Sequence, residues 1–308
     1  MAAHATRSAS GADSSSDDVS RCLLLALSHD ELGVIVDGLA DPLQPVVAVA
    51  LSSTCLGLRT PLHEALEVLK ERHGRAVAMC RKVGTSCMDL LDAEELGWNG
   101  KGELANSQME KGLTTDDMAT LGMILRTNGL PRMQKLYLSR NGFSDAGMQA
   151  LCEGMDSSAA PSLRSLGLVN NKLGLLGAEA LAAAIRRGAM PQLASLLIEF
   201  NFFVGNQGVA TLAPALRKLP ALAKLFLCGC DIDDEGVASL FANLGKDDFK
   251  KLKILDLRCN KVSDKGCEMI ASLVNSGKMP SLTDVLLQPN PMSPEAAQAV
   301  KDALRARQ

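Results

Sequence analysis

A nine-residue frame, apolar-x-x-apolar-x-apolar-x-x-Asn, recurs along most of this sequence and restricts its fold more tightly than any other feature. Leu163, Leu166, Leu168 and Asn171 fill it in its plainest form. Met133, Leu136, Leu138 and Asn141 stand before them. After them come Leu193, Leu196, Ile198 and Asn201, then Leu222, Leu225, Leu227 and Cys230. Leu252, Leu255, Leu257 and Asn260 follow, and last Leu282, Val285, Leu287 and Asn290. The closing residues are 30, 30, 29, 30 and 30 apart. A fixed period of this size means that one supersecondary unit stacks on copies of itself, each burying its apolar side only against its neighbours. Within a frame the apolar-x-apolar pair faces one way, because strand side chains alternate. Each fully covered leucine is worth roughly 1.5–3 kcal/mol. The closing Asn can satisfy backbone groups where the chain leaves the strand, and such a group left buried and unpaired costs about 1–3 kcal/mol.

The residues between frames read as helix. A small or acidic residue and then a glycine follow the Asn: Ser144 with Gly147, Asp233 with Gly236, Ser263 with Gly266. Ser and Asp there cap helix N-termini. Met148, Leu151 and Met155 stand at spacings of three and four, as do Ala178, Leu181 and Ile185, Val209, Leu212 and Leu216, and Val237, Leu240 and Leu244. Each set falls on one helix face. The stretch from Asn201 to Gly208 is one residue longer than its counterparts, which predicts a bulge through Val204-Gly205-Asn206-Gln207. Upstream, Leu91, Leu96 and Asn99 extend the array, with Glu94 in an apolar slot and Gly102–Lys111 as a polar insertion. Units of 29–30 residues with a full helix resemble leucine-rich repeats of the ribonuclease-inhibitor class, over about residues 91–308. The resemblance implies an α/β solenoid of about seven units, with parallel strands on a concave face and helices on a convex one.

Residues 1–17 are rich in Ala, Ser, Gly and Asp and are expected to be disordered. Residues 18–90 read as a helical block. Ser28 to Glu31 forms a capping box, with Leu27 and Leu32 as its hydrophobic staple. Asp41-Pro42 starts a second helix, Val46–Leu58 a third, and Thr60-Pro61 a fourth through Leu62, Leu66 and Leu69. The stretch Leu27–Arg59, with Asp30, Glu31, Leu32, Ile35, Leu39, Asp41-Pro42, Leu51, Cys55 and Leu58-Arg59, resembles an F-box. That resemblance implies docking to the adaptor subunit of a cullin-type ubiquitin ligase. The physical reading beside it is an N-terminal helical cap over the exposed apolar edge of the first repeat.

The net charge of −3 gives no basic footprint for nucleic acid. No apolar run approaches the roughly 18 residues of a membrane helix. Nine cysteines with no paired spacing suit a reducing compartment, so a cytosolic or nuclear protein is expected. His4, His29, His63 and His73 all precede the repeats and have no partners for catalysis or metal binding. Cys228, Cys230 and Cys259 fall on neighbouring strands and read as free thiols. No phosphate-binding loop or dinucleotide fingerprint is present. The expectation is therefore a non-enzyme without catalytic residues, cofactor or metal.

Function is expected on the concave face, at the outward strand positions. Trp98, Tyr137, Phe200 and Phe226 place four of the nine aromatic residues there, far more than an even spread would. Val169 and Leu197 add apolar surface, and Arg140, Glu199, Asp256 and Arg258 supply a charged rim. An apolar centre inside a polar rim is the anatomy of a protein interface. A protein partner is thus the first reading, and an F-box substrate receptor is the second. The repeat class also includes the Ran GTPase-activating proteins, which implies a third reading with a GTPase partner near Arg140 beside Asn141.

Overall fold

A computed structural model describes residues 28, 31–32, 34–35, 39–54, 63–100 and 112–307. The chain divides into two compact units, Met1–Glu71 and Arg72–Gln308. In the first unit Ser28 and Glu31 make the expected capping box. The Ser28 N–H donates to the Glu31 carboxylate at 2.7 Å, and the Glu31 N–H donates to the Ser28 hydroxyl at 3.2 Å. Asp41 departs from expectation. Its Oδ1 accepts from the Leu43 and Gln44 amides at 2.6 and 3.0 Å, closing a turn, so the next helix starts behind Pro45 and not Pro42. That helix is α1 (Val46–Thr54), and α2 (His63–Val83) spans the boundary between the units. Ala40, Ala48 and Leu69 pack with Leu66 into a small core. The tail 1–17, and Leu27, Asp30, Cys55, Leu58 and Arg59 of the F-box-like stretch, lie outside the described residues, as does the insertion 102–111.

The second unit alternates strand and helix. After α3 (Cys87–Asp92) come β1 (Glu95–Gly97), α4 (Thr115–Thr127), β2 (Lys135–Tyr137), α5 (Asp145–Glu153), β3 (Ser165–Gly167) and α6 (Leu175–Arg186). Then follow β4 (Ser195–Leu197), α7 (Gly205–Arg217), β5 (Lys224–Phe226), α8 (Asp234–Phe241), β6 (Ile254–Asp256), α9 (Asp264–Asn275), β7 (Asp284–Leu286) and α10 (Pro294–Arg305). The seven strands form one parallel sheet in sequence order. Leu96, Leu136, Leu166, Leu196, Leu225, Leu255 and Val285 are partners across it. A constant repeat length produces that constant register. The first frame leucines, together with Leu138, Leu168, Ile198, Leu227 and Leu257, are buried with the helix residues Met148, Leu151, Leu181, Val209, Leu212 and Leu216. The expected α/β solenoid is what these residues build.

The asparagines form a ladder. Asn171 Nδ2 donates to Leu168 O at 2.9 Å and to Leu138 O in the previous unit at 3.0 Å. Its Oδ1 accepts from the Asn141 and Gly142 amides at 3.0 and 2.9 Å. Asn201 and Asn260 repeat this pattern in their own units. Asn141 donates to Leu138 O and, in the unit before, to Trp98 O at 2.7 Å. Trp98 therefore fills the slot that Leu138 fills one unit later. The spacing-based register of the first unit was wrong by two residues: Leu96 pairs with Leu136, and Asn99 lies outside the ladder.

A second ladder runs along the helix N-termini. A residue in the first turn of one helix accepts, through its side chain, the amide that caps the next helix. Asp145 accepts from Gly174 at 2.6 Å, Asn206 from Asp233 at 3.0 Å, Asp234 from Ser263 at 2.9 Å and Asp264 from Ser293 at 2.6 Å. This explains the repeated glycine. A Cβ on Gly177 would lie 2.6 Å from Asp145 Oδ1, and one on Gly266 would lie 2.4 Å from Asp234 Oδ1. Two helices fall short of expectation: α5 ends at Glu153 and leaves the buried Met155 beyond it, and α8 ends at Phe241 and leaves Leu244 beyond it, only half-buried. Phe249 is buried there instead, edge-on to Phe241 at 6.4 Å. The buried Arg217 guanidinium caps α8 by donating to Leu240 O at 3.2 Å, Ser239 O at 2.8 Å and Ala242 O.

Candidate functional site

The face of the sheet turned away from the helices carries the outward positions, in rows that the strand register fixes. One row holds Gly97, Tyr137, Gly167, Leu197, Phe226, Asp256 and Leu286. Leu197 and Phe226 are direct partners in it, both half-buried, as their spacing implied. Aromatic rings on this face lie down over glycines. A Cβ on Gly167 would meet the Tyr137 ring at 2.6 Å, and one on Gly229 would meet the Phe200 ring at 2.8 Å. Tyr137 is thereby half-covered, while Phe200 keeps 40% of its surface exposed.

Phe200 is not a strand residue. It stands just before a ladder Asn, as do Arg140, Asn170 and Cys259, and these four have φ of 57°, 59°, 53° and 55°. Gly229 holds the same place at 64°. The chain turns here so that the following side chain can enter the ladder, and a left-handed residue with a Cβ is tolerated because that ladder fixes it. Arg140 is exposed at this turn and Val169 is half-buried just before it.

Two expected site residues are placed differently. Trp98 is only 4% exposed, because the corrected register points it into the core. Asp256 is in its outward row but is fully buried, at 0% exposure, beneath Arg258. Arg258 Nε contacts both Asp256 carboxylate oxygens at 3.0 and 3.1 Å, and Nη2 reaches one of them at 2.7 Å. Glu199 lies in the row that continues as Cys228 and Arg258. Its Oε2 is buried with no hydrogen-bond partner among the described residues. Burial, followed by the negative charge of Asp256, pushes the Glu199 carboxyl up to about 7. Burial and the neighbouring Cys259 push the Cys228 thiol up to about 12, so it stays protonated. Among the described residues no group of three or more His, Cys, Asp and Glu side chains could hold a metal, and no helix is long and apolar enough to cross a membrane.

Frame counting missed Phe202 and Phe203, which are 59% and 72% exposed. Phe200 and Phe202 have ring centroids 6.3 Å apart. With Phe200 they form an aromatic ledge on the loop after β4. The loop protrudes because both ladders lapse there. Cys230 offers a sulfur where other units offer an amide oxygen; the thiol donates to Ile198 O at 3.4 Å. The amide bond that Leu173 makes to Asn201 has no counterpart from Phe203 among the described residues. On the helix side Leu175 stands where Asp145, Asp234 and Asp264 stand in other units, and it has no oxygen to offer. Gly205 N–H donates instead to Cys230 O at 2.9 Å, and the chain between bows outward. The sequence signal was the run Phe-Asn-Phe-Phe at the one lengthened Asn-to-Gly stretch, in the unit before Cys230, the one closing residue of the six frames that is not Asn.

The leucine-rich-repeat family model matches residues 131–152, 159–182 and 250–271. No curated protein sequence matches this one. Among solved structures, a chain of the yeast Rad7 and Elc1 complex is similar at 17% identity and a TM-score of 0.45, over 60% of this chain and 42% of that one. A Bacteroides fragilis protein is similar at 14% identity and 0.41, over 70% and 65%. The Arabidopsis receptor kinase HAESA, solved with the peptide hormone IDA and the co-receptor SERK1, is similar at 21% and 0.34, over 60% and 30%. This chain thus spans less than two thirds of the length of each. Repeat matches and strand register together make the second unit a leucine-rich-repeat solenoid.

Proposed function

We propose that the chain is a non-enzymatic interaction module of the ribonuclease-inhibitor-like type, and that it binds a protein partner on the outer, concave face of its sheet. The surface comprises Tyr137, Val169, Leu197 and Phe226, bordered by Arg140, Glu199 and Arg258 and extended by the ledge Phe200, Phe202 and Phe203. The observation that carries this reading is the exposure of three of the seven phenylalanines within four residues. Exposed aromatic clusters on soluble folds mark interaction sites, and aromatic residues are the usual anchors of such interfaces.

The test compares partner capture by the wild-type chain and by Phe202→Ala/Phe203→Ala and Phe226→Ala, with Glu268→Ala on the helix side as control. Loss of about 2 kcal/mol or more in affinity is expected for the first two, the hot-spot scale. Thermal midpoints should be unchanged for the ledge pair. Undiminished capture by both would refute the reading.

A second reading gives the N-terminal block an adaptor-docking role of the F-box kind, and exposed Val46, Val47 and Val49 on α1 favour it. Leu32 is buried, so Val47→Asp is the informative variant. A purified ligase adaptor that binds the wild type and Val47→Asp equally, or neither, eliminates it.

A further inference from the structure

We propose that the partner presents a lysine or arginine side chain, and that Glu199 receives it. The proposal rests on reading the outer sheet face as a protein-binding surface. The two acids at the centre of that face differ. Asp256 is already matched, held by three contacts from the Arg258 guanidinium. Glu199 is not: its Oε2 is buried and accepts no hydrogen bond among the described residues. Its surroundings are mostly apolar. Val169 and Cys228 flank it in its own row, Leu197 and Phe226 fill the row beside it, and Phe200 follows it in sequence. The Glu199 backbone amide is the one donor the fold offers this carboxylate, and Oε2 is left without the donors that water would give it.

A partner cation fits both parts of this site. The ammonium or guanidinium head pairs with Oε2, and the aliphatic stem lies along Leu197 and the phenylalanine rings. A partner carboxylate would be repelled. A partner carbonyl could be accommodated only with Glu199 protonated, and this difference gives the two occupants opposite pH dependence. The charged and titratable groups facing Glu199 are Asp256 at the end of β6 and Arg258 beyond it, and Cys228 and Cys230 beyond β5; Val169 on the β3 side is not ionisable. Both thiols are pushed up to about 12 by burial and remain neutral. The Glu199 carboxyl sits at about 7 in the free chain. A cation selects its ionised form, so binding releases a proton and affinity rises as pH passes upward through that value. A carbonyl selects the protonated form, and affinity falls.

The test is selection of random histidine-free peptides against the full-length chain, followed by affinity measurement on either side of neutrality. The expected peptides carry Lys or Arg beside apolar residues and bind more tightly at the higher pH. They lose about tenfold or more in affinity with Glu199→Gln, and they also weaken with Phe202→Ala/Phe203→Ala. Three results would overturn the proposal and leave the surface reading standing: ledge-dependent peptides without a basic residue, ledge-dependent peptides indifferent to Glu199→Gln, or ledge-dependent peptides that bind more tightly at the lower pH. Peptides indifferent to every one of these substitutions, or no enrichment at all, would overturn both.

Discussion

Asn170 and Asn171 are adjacent and identical in chemistry, yet the fold uses different properties of each. Asn171 is buried and makes bonds to two carbonyls and two amides in neighbouring turns. Asn170 is exposed and contributes only its tolerance of a positive φ, 53°. Asn171→Ala is therefore expected to cost about 1–3 kcal/mol or more, because it strands buried groups. Asn170→Ala should cost no more than about 1 kcal/mol, and Asn170→Gly close to nothing, since glycine enters that region freely. Urea midpoints should fall in that order, and equal midpoints for Asn170→Ala and Asn171→Ala would contradict the ladder. Glu199 supplies the second prediction at this scale. Its carboxyl rises from 4.5 in the unfolded chain to about 7 in the folded one, so the folded state holds the proton more tightly. Stability is full below the unfolded value and falls as pH climbs through the folded one. Glu199→Gln removes this loss. The variant should match the wild type near pH 4 and exceed it by about 1–3 kcal/mol at pH 8, given roughly 1.4 kcal/mol per pKa unit. Thermal melts across that range would check it, and parallel curves would show that Glu199 ionises without penalty.

Among the elements, the turn from strand to helix carries most of what spacing alone did not disclose. The caps at Ser144, Asp233 and Ser263 were expected, and the structure starts a helix after each; the Asp233 and Ser263 side chains accept from the first turn, while the Ser144 side chain makes no cap bond. The partners of the Asp233 and Ser263 amides were not, because those amides, like the ones at Gly174 and Ser293, each bond to a side chain in the preceding unit, 27 to 29 residues earlier. The glycine that follows is required for clearance. Gly266→Ala would press a methyl against Asp234 and Val262, at 2.4 and 2.6 Å, and should destabilise by about 1–3 kcal/mol, the overpacking range. Gly97→Ala, with nothing within 4 Å, should be neutral by the same melt. The loop after β4 is the reverse case, an element shaped by missing partners. Cys230→Asn would return an amide oxygen to the ladder, and it is expected to stabilise by about 0.5–1.5 kcal/mol, one hydrogen bond's net worth. A lower melting temperature for that variant would show that the bowed loop is held by something other than the lapse.

At the scale of the whole array, the sheet order, the parallel pairing and the core were legible because six frames agree in phase, so each unit's pattern predicts its neighbour's position. Legibility ended where the phase broke. The first unit slipped by two residues because a tryptophan occupies a leucine slot ahead of an insertion. The Phe202–Phe203 ledge escaped notice because it lies off the strand, where the frame gives no orientation. The third break is α8, the shortest helix after β1, followed by a long irregular stretch. In a stacked array each unit is stabilised only by its neighbours, so one weak junction can divide a cooperative fold. Arg217 spans that junction: its guanidinium closes the C-terminus of α8, and its own carbonyl accepts from the Phe249 amide at 3.1 Å. Lys218 adds a 2.6 Å pair with Asp248. Arg217→Ala is thus expected to separate the unfolding of the units through α7 from that of the units after it. The sole tryptophan, Trp98, is buried in the first unit and reports only on the early repeats. Far-ultraviolet circular dichroism reports on all of them. In the wild type the two signals should trace one urea transition. In Arg217→Ala the dichroism should begin to fall first, as the repeats from α8 onward melt, while Trp98 fluorescence holds to a higher urea concentration. Coincident curves in the variant would mean that sheet pairing alone carries the coupling across α8.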